Sequence, residues 1–166
     1  MDEEARKWTV SALESARKLE KEGYEFYIKA CEKTDDEKGR EMFKFLAFEE
    51  VKHYDIVNSL IKMFGGESLP MPKEEVEEKS GVFSETEGGK ITEKSDELDA
   101  LNIGIKAEHR SIKAYSQVYD RTDDERLKIA MKKLVDEEKR HLSILEKEVE
   151  FITDTGEWHD FRTVSM

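Results

Sequence analysis

The feature that most limits what this chain can fold into is that it overlays itself. Sliding the sequence by 88 positions sets residues 12–59 on residues 100–147 without a gap, and fifteen of the aligned pairs are identical. They include Leu13/Leu101, Glu20/Glu108, Tyr27/Tyr115, Glu49-Glu50/Glu137-Glu138 and His53/His141, and the run Thr34-Asp35-Asp36-Glu37 falls on Thr122-Asp123-Asp124-Glu125. A chain of 166 residues predicts a single domain, and two copies of one helical hairpin are the simplest account of the repeat.

Each copy reads as helix, turn, helix. Leu13, Ala16, Glu20, Gly23, Tyr27 and Ala30 recur at spacings of three and four, which sets them on one stripe of a helix; Leu101, Gly104, Glu108, Ser111, Tyr115 and Val118 repeat it. Phe43, Leu46, Glu50, His53, Val57 and Leu60 form the stripe of a second helix, and Met131, Leu134, Glu138, His141, Leu145 and Ile152 that of a fourth. Ser11-x-x-Glu14 reads as a capping box at the first helix start, and the two Thr-Asp-Asp-Glu runs supply caps and acidic first turns for helices two and four. The predicted helices span 9–33, 36–64, 96–121 and 124–150. Helices of about 25 residues are near 38 Å long, which suits an all-α four-helix bundle. The expected domain covers 1–150: hairpin 9–64, connection 65–95, hairpin 96–150. The connection holds both prolines, Pro70 and Pro72, and is long enough to cross over the length of the bundle, so that helices two and three run parallel. Residues 151–166 form a C-terminal tail, with Trp158 and Phe161 expected to pack on the bundle or on a neighbouring subunit.

Charge narrows the function. With 28 basic and 40 acidic side chains the net charge is −12, and no basic stripe stands clear of acidic neighbours, which argues against a nucleic-acid or anionic-membrane partner. No apolar run approaches the roughly 20 residues of a membrane span, and Met1-Asp2-Glu3-Glu4 lacks the basic start of a signal peptide, so a cytoplasmic protein is expected. Cys31 is the one cysteine, which excludes a thiolate zinc cage or a Cys₄ iron site within this chain. Scarce Asn and Gln beside abundant Glu and Lys suggest a thermophile source.

The ionisable residues on the inward stripes carry the chemistry. In a hairpin, residues equally far from the turn lie at one height: Glu20 and Glu50 are equidistant from Asp35, and Glu108 and Glu138 from Asp123. His53 and His141 follow their glutamates by three positions and share their helix face. Four ionised carboxylates in a dry core are untenable, since desolvation alone costs several kcal/mol per ion. Protons, water or cations must neutralise them, and two divalent cations with two imidazoles make a nitrogen and oxygen donor set suited to iron or manganese. One Glu from each of two helices with Glu-x-x-His from each of the other two is also the ligand set of di-iron and di-manganese carboxylate bundles.

On these residues the chain resembles the ferritin-like di-iron superfamily, most closely its rubrerythrin-like branch. The motifs are EKEGYEFY (Glu20–Tyr27), EEVKH (Glu49–His53), EHRSIKAY (Glu108–Tyr115) and EEKRH (Glu137–His141). The resemblance implies that Glu20 and Glu108 are terminal ligands, Glu50 and Glu138 bridge the metals, and His53 and His141 give one imidazole to each of two iron ions. It implies that Tyr27 and Tyr115 are phenols hydrogen-bonded to ligand carboxylates. The chain departs from rubrerythrins proper at Ser111, where they carry a further Glu, and no rubredoxin segment accompanies the bundle. The implied activity is an oxidoreductase reducing peroxide or dioxygen with electrons from an external donor protein, in a homodimer. The alternatives are an iron-handling module of ferroxidase type without a dedicated substrate, and a structural bundle with a vestigial site. Glu49 and Glu137, four residues before the histidines, compete with Glu50 and Glu138 as ligands, and the small Gly23 and Ser111 leave room either for a small ligand or for close helix packing.

Overall fold

The computed structural model describes residues 1–71 and 94–163. Four long helices make up the fold: α1 (Glu3–Lys33), α2 (Glu37–Met63), α3 (Lys94–Arg121) and α4 (Glu125–Thr155), followed by a 3₁₀ turn at Phe161–Thr163. The two Asp-centred turns form as expected. Asp36 accepts the Lys38 and Gly39 amides at 2.9 and 3.2 Å, and Asp124 accepts those of Arg126 and Leu127 at 2.9 and 3.2 Å.

Two helix ends differ from the sequence expectation. α1 starts six residues early because Asp2 is the cap: its carboxylate accepts the Ala5 amide at 2.8 Å. The Ser11-x-x-Glu14 pattern lies inside the helix, where every amide already has a carbonyl four residues back, and the neighbouring Ser15 hydroxyl donates to the Ser11 carbonyl at 3.2 Å. α4 continues past 150 because buried Glu148 and Ile152 extend its inward stripe. It stops at Gly156, whose φ of +79° is the left-handed conformation that terminates helices. Phe151–Thr155 therefore belong to the bundle, not to the tail.

α1 packs on α2 and α3 on α4, and the hairpins pair mainly through α1 and α3. Tyr27 meets Glu108 while Tyr115 meets Glu20, so α1 and α3 run antiparallel; α2 and α3 are then parallel. The two hairpin turns lie at opposite ends. One apolar cluster, with Phe43, Leu46, Leu101, Leu145 and Trp158, fills the end with the Thr34–Asp36 turn; another, with Leu13, Val57, Leu60, Leu127 and Met131, fills the other. The chain leaving α2 turns at Gly65 (φ +84°) and is strapped back along the hairpin. Arg17 donates to the Glu67 carbonyl at 2.8 Å, the Leu69 amide donates to Asn58 at 2.9 Å, and the Tyr54 hydroxyl donates to the Leu69 carbonyl at 2.9 Å. Most of the expected connection, residues 72–93, lies outside the described residues.

The tail folds onto its own chain. Trp158 is buried with its indole N–H on Glu97 at 2.9 Å, and the His159 amide donates to Glu148 at 2.6 Å. Phe161 packs on Phe45 at 5.1 Å between ring centres, and Phe45 stands edge-on to His141 at 6.2 Å. The two rings that offered an anchor for a neighbouring subunit are thus used within the chain.

Candidate metal centre

Between the two apolar clusters lies a layer of charge. Each helix brings one glutamate to it, Glu20, Glu50, Glu108 and Glu138, and α2 and α4 add His53 and His141; all six are buried, none more than 3% exposed. The ligands of Glu50, His53, Glu138 and His141 lie within 4.8 Å of one another. The two imidazoles stack with centroids 5.4 Å apart and planes at 17°.

Contacts across the layer follow the offset of 88. The Tyr27 hydroxyl donates to Glu108 Oε1 at 2.6 Å, and the Tyr115 hydroxyl donates to Glu20 Oε1. Glu138 accepts from both imidazoles, Oε1 from His53 Nδ1 and Oε2 from His141 Nδ1, each at 3.1 Å. His141 Nδ1 is also 3.7 Å from Glu50 and 3.8 Å from Glu108, and His53 Nδ1 is 3.7 Å from Glu20 Oε2. Both histidines therefore turn Nδ1 toward the carboxylates. Their Nε2 atoms point outward to the competing glutamates: His53 Nε2 donates to Glu137 at 2.8 Å, and His141 Nε2 lies 3.8 Å from Glu49. Glu49 and Glu137 thus stand behind the imidazoles, each on the ring of the opposite hairpin, while Glu50 and Glu138 lie within the layer. Sequence spacing alone left that choice open, because both pairs obey the repeat.

The electrostatics follow from burial. Desolvation raises the pKa of Glu20, with the charge of Glu138 adding to it. Glu50 and Glu108 rise well above the carboxylate range for the same two reasons. Glu138 goes the other way: desolvation pushes it up, but hydrogen bonds from Glu108, His141 and His53 outweigh that and hold it well below. For His53 burial favours the neutral ring, yet its bond to Glu138 and the nearby Glu20 carboxylate prevail and push its pKa up to about 11. His141 is raised likewise, its bond to Glu138 outweighing burial. Glu49 is held down to about 2, chiefly by the facing His141 ring and also by Lys52 at 2.8 Å.

These residues fit a pair of divalent cations. Glu20 Oε2 is buried without a hydrogen-bond partner among the described protein groups, an arrangement that is costly unless something else satisfies it. Carboxylate oxygens and imidazole nitrogens are donors for iron and manganese. His109 is exposed and outside the layer, Phe26 packs in the core, and Cys31 is half-buried beside the first cluster.

Comparison with known proteins shows the family. Among curated proteins, none is significantly similar in sequence. A solved structure of a hypothetical protein from Pyrococcus furiosus superposes with a TM-score of 0.72 at 27% identity, covering 88% of this chain and 90% of that one. The Rubrerythrin family model matches residues 11–149, which takes in both hairpins and all six layer residues. The chain belongs to the rubrerythrin family of the ferritin-like superfamily.

Proposed function

We propose that the layer holds two iron ions and that the protein is a di-iron oxidoreductase acting on peroxide or dioxygen. One observation carries the reading: four carboxylates and two inward-facing Nδ1 atoms meet in a buried layer, and one of those carboxylate oxygens, Glu20 Oε2, has no hydrogen-bond partner among the described protein groups. Manganese would suit the same donors.

In this reading Glu20 and His53 would hold one ion and Glu108 and His141 the other, with Glu50 and Glu138 as the carboxylates that would be shared between them. An iron pair supplies, when bound, the exchange of two electrons with a small oxidant, the electrons being restored by an external donor protein. The chain does the rest. Tyr27 and Tyr115 fix the rotation of Glu108 and Glu20, each using one carboxylate oxygen and leaving the other for a cation. His53 gives up its Nδ1 proton on loading, while Glu137 keeps Nε2–H and with it the ring orientation. The apolar clusters on either side exclude bulk water. The acidic surface and the lack, among the described residues, of any helix able to cross a membrane support a cytoplasmic setting.

The test is stopped-flow oxidation of the reduced, iron-loaded protein by hydrogen peroxide and by dioxygen. The reading expects oxidation faster than that of free Fe(II) under the same conditions. A rate no greater than free Fe(II) contradicts the enzyme assignment.

A further inference from the structure

We infer that the groove between α1 and α3, floored by Gly23, is the entry and docking place for a small ligand of two or three heavy atoms bound for the carboxylate layer. This rests on the dimetal reading. The groove lies on the α1/α3 side of the bundle, opposite the imidazoles on α2 and α4. Leu19, Phe26, Ile103 and Ala107 form its walls, and it encloses about 140 Å³. An apolar cavity of ~150 Å³ takes up benzene or xenon, so a peroxide- or azide-sized molecule fits.

Its floor is what links it to the layer. A Cβ built on Gly23 meets nothing nearer than the Glu50 carboxylate, with Oε2 at 3.3 Å and Cδ at 3.4 Å. Glu50 therefore lies directly beneath the backbone of residue 23, with no side chain at that position between it and the groove. Glycine inside a helix costs about 1 kcal/mol relative to alanine. Here the backbone is helical, so space rather than a special φ accounts for the choice.

Four other positions around the layer are occupied among the described residues. Tyr27 and Tyr115 are both buried above and below the layer and bonded to its glutamates. Across the bundle, Glu137 and Glu49 stand behind the two imidazoles. At the groove itself, Glu22 and Arg110 both contribute to the lining and both are exposed. Their opposite charges favour a neutral or singly charged molecule over a polyanion.

The probe is azide, added to the iron-loaded, oxidised protein and followed by its charge-transfer absorption, with iron per chain measured on every sample. Ala107→Trp fills the groove from its wall; Gly23→Ala narrows the floor. The inference expects Ala107→Trp to keep its iron and bind azide at least about tenfold more slowly or weakly, the scale on which a tight pocket discriminates a small steric change. Azide binding to Ala107→Trp at the wild-type rate and affinity, with iron retained, overturns the groove while leaving the dimetal reading intact. Gly23→Ala is expected to retain iron and slow azide too; if it sheds iron by displacing Glu50, Ala107→Trp decides alone. A wild type that binds no iron overturns both the reading and the groove.

Discussion

Tyr27 on α1 gives its hydroxyl hydrogen to Glu108 on α3 at 2.6 Å, and Tyr115 on α3 returns the same bond to Glu20 on α1. The two hairpins are thereby clasped through buried hydrogen bonds as well as apolar packing. Because the bonds are equivalent, Tyr27→Phe and Tyr115→Phe should have similar effects. Each leaves a buried carboxyl oxygen without its donor, and about 1–3 kcal/mol of stability should be lost. Chemical denaturation of the two variants checks this; unchanged midpoints would reduce both tyrosines to space-filling.

Glu50 and Glu138 are equivalent in the repeat but not in charge. Glu138 accepts from both imidazoles and its pKa is held well below the carboxylate range, whereas that of Glu50 is pushed well above it by burial and by its acidic neighbours. In chelator-treated protein, Glu138→Gln should destabilise by about 3–5 kcal/mol, since it leaves buried imidazolium charge unpaired. Glu50→Gln should change stability by less than about 1 kcal/mol, because burial and the neighbouring carboxylates already disfavour the charge that the amide removes. Both should lose the rise in Tm on adding Fe(II) or Mn(II). Equal losses in chelator-treated protein would contradict the charge assignment.

The tail should respond to pH through Glu148. Its carboxyl is buried and pushed up to about 7, by desolvation first and by Asp36 and Asp160 after it, while the His159 amide and Lys38 oppose. The folded state then holds this proton more tightly than the unfolded chain, where it is lost near the ordinary 4.5. Between about 4.5 and 7, therefore, raising the pH withdraws stability, and above about 7 the full penalty is present. Trp158 emission should report loosening of the tail as pH rises through 7, and Glu148→Gln should flatten that change. A wild-type tail insensitive between pH 5 and 8 would contradict it.

Gly39 is small because Trp158 covers it. A Cβ there would lie 2.8 Å from the indole and 2.9 Å from Thr34 Cγ2. Gly39→Ala should displace the indole, red-shift its emission, and cost about 1–3 kcal/mol as an overpacked contact. An unshifted emission maximum would mean that the turn yields instead of the tail.

What was legible in the sequence was whatever repeats or recurs with a helical period. The stripes, the Asp36 and Asp124 caps and the six layer residues all belong to that class, since helix geometry alone brings equidistant glutamates to one height. The α1 start was misplaced because Ser11-Glu14 imitates a cap, while the cap in use, Asp2, has only an acidic first turn to mark it. Trp158 on Glu97 and the His159 amide on Glu148 join residues distant in sequence, in a tail that no repeat informs. The division of labour between Glu50 and Glu49, or Glu138 and Glu137, depends on which face of an imidazole each carboxylate meets across the bundle. That is a tertiary contact, and only the doubled glutamate before each histidine hinted at it.

The central claim is that the layer is a dimetal site. Elemental analysis after anaerobic loading with Fe(II) and removal of loosely bound iron tests it most directly, with wild type set beside a Glu50→Ala, Glu138→Ala double variant. The account predicts about two irons per wild-type chain, the full set for this ligand arrangement, and their loss from the variant. A wild type that retains no iron, or a variant that retains as much as wild type, would contradict it.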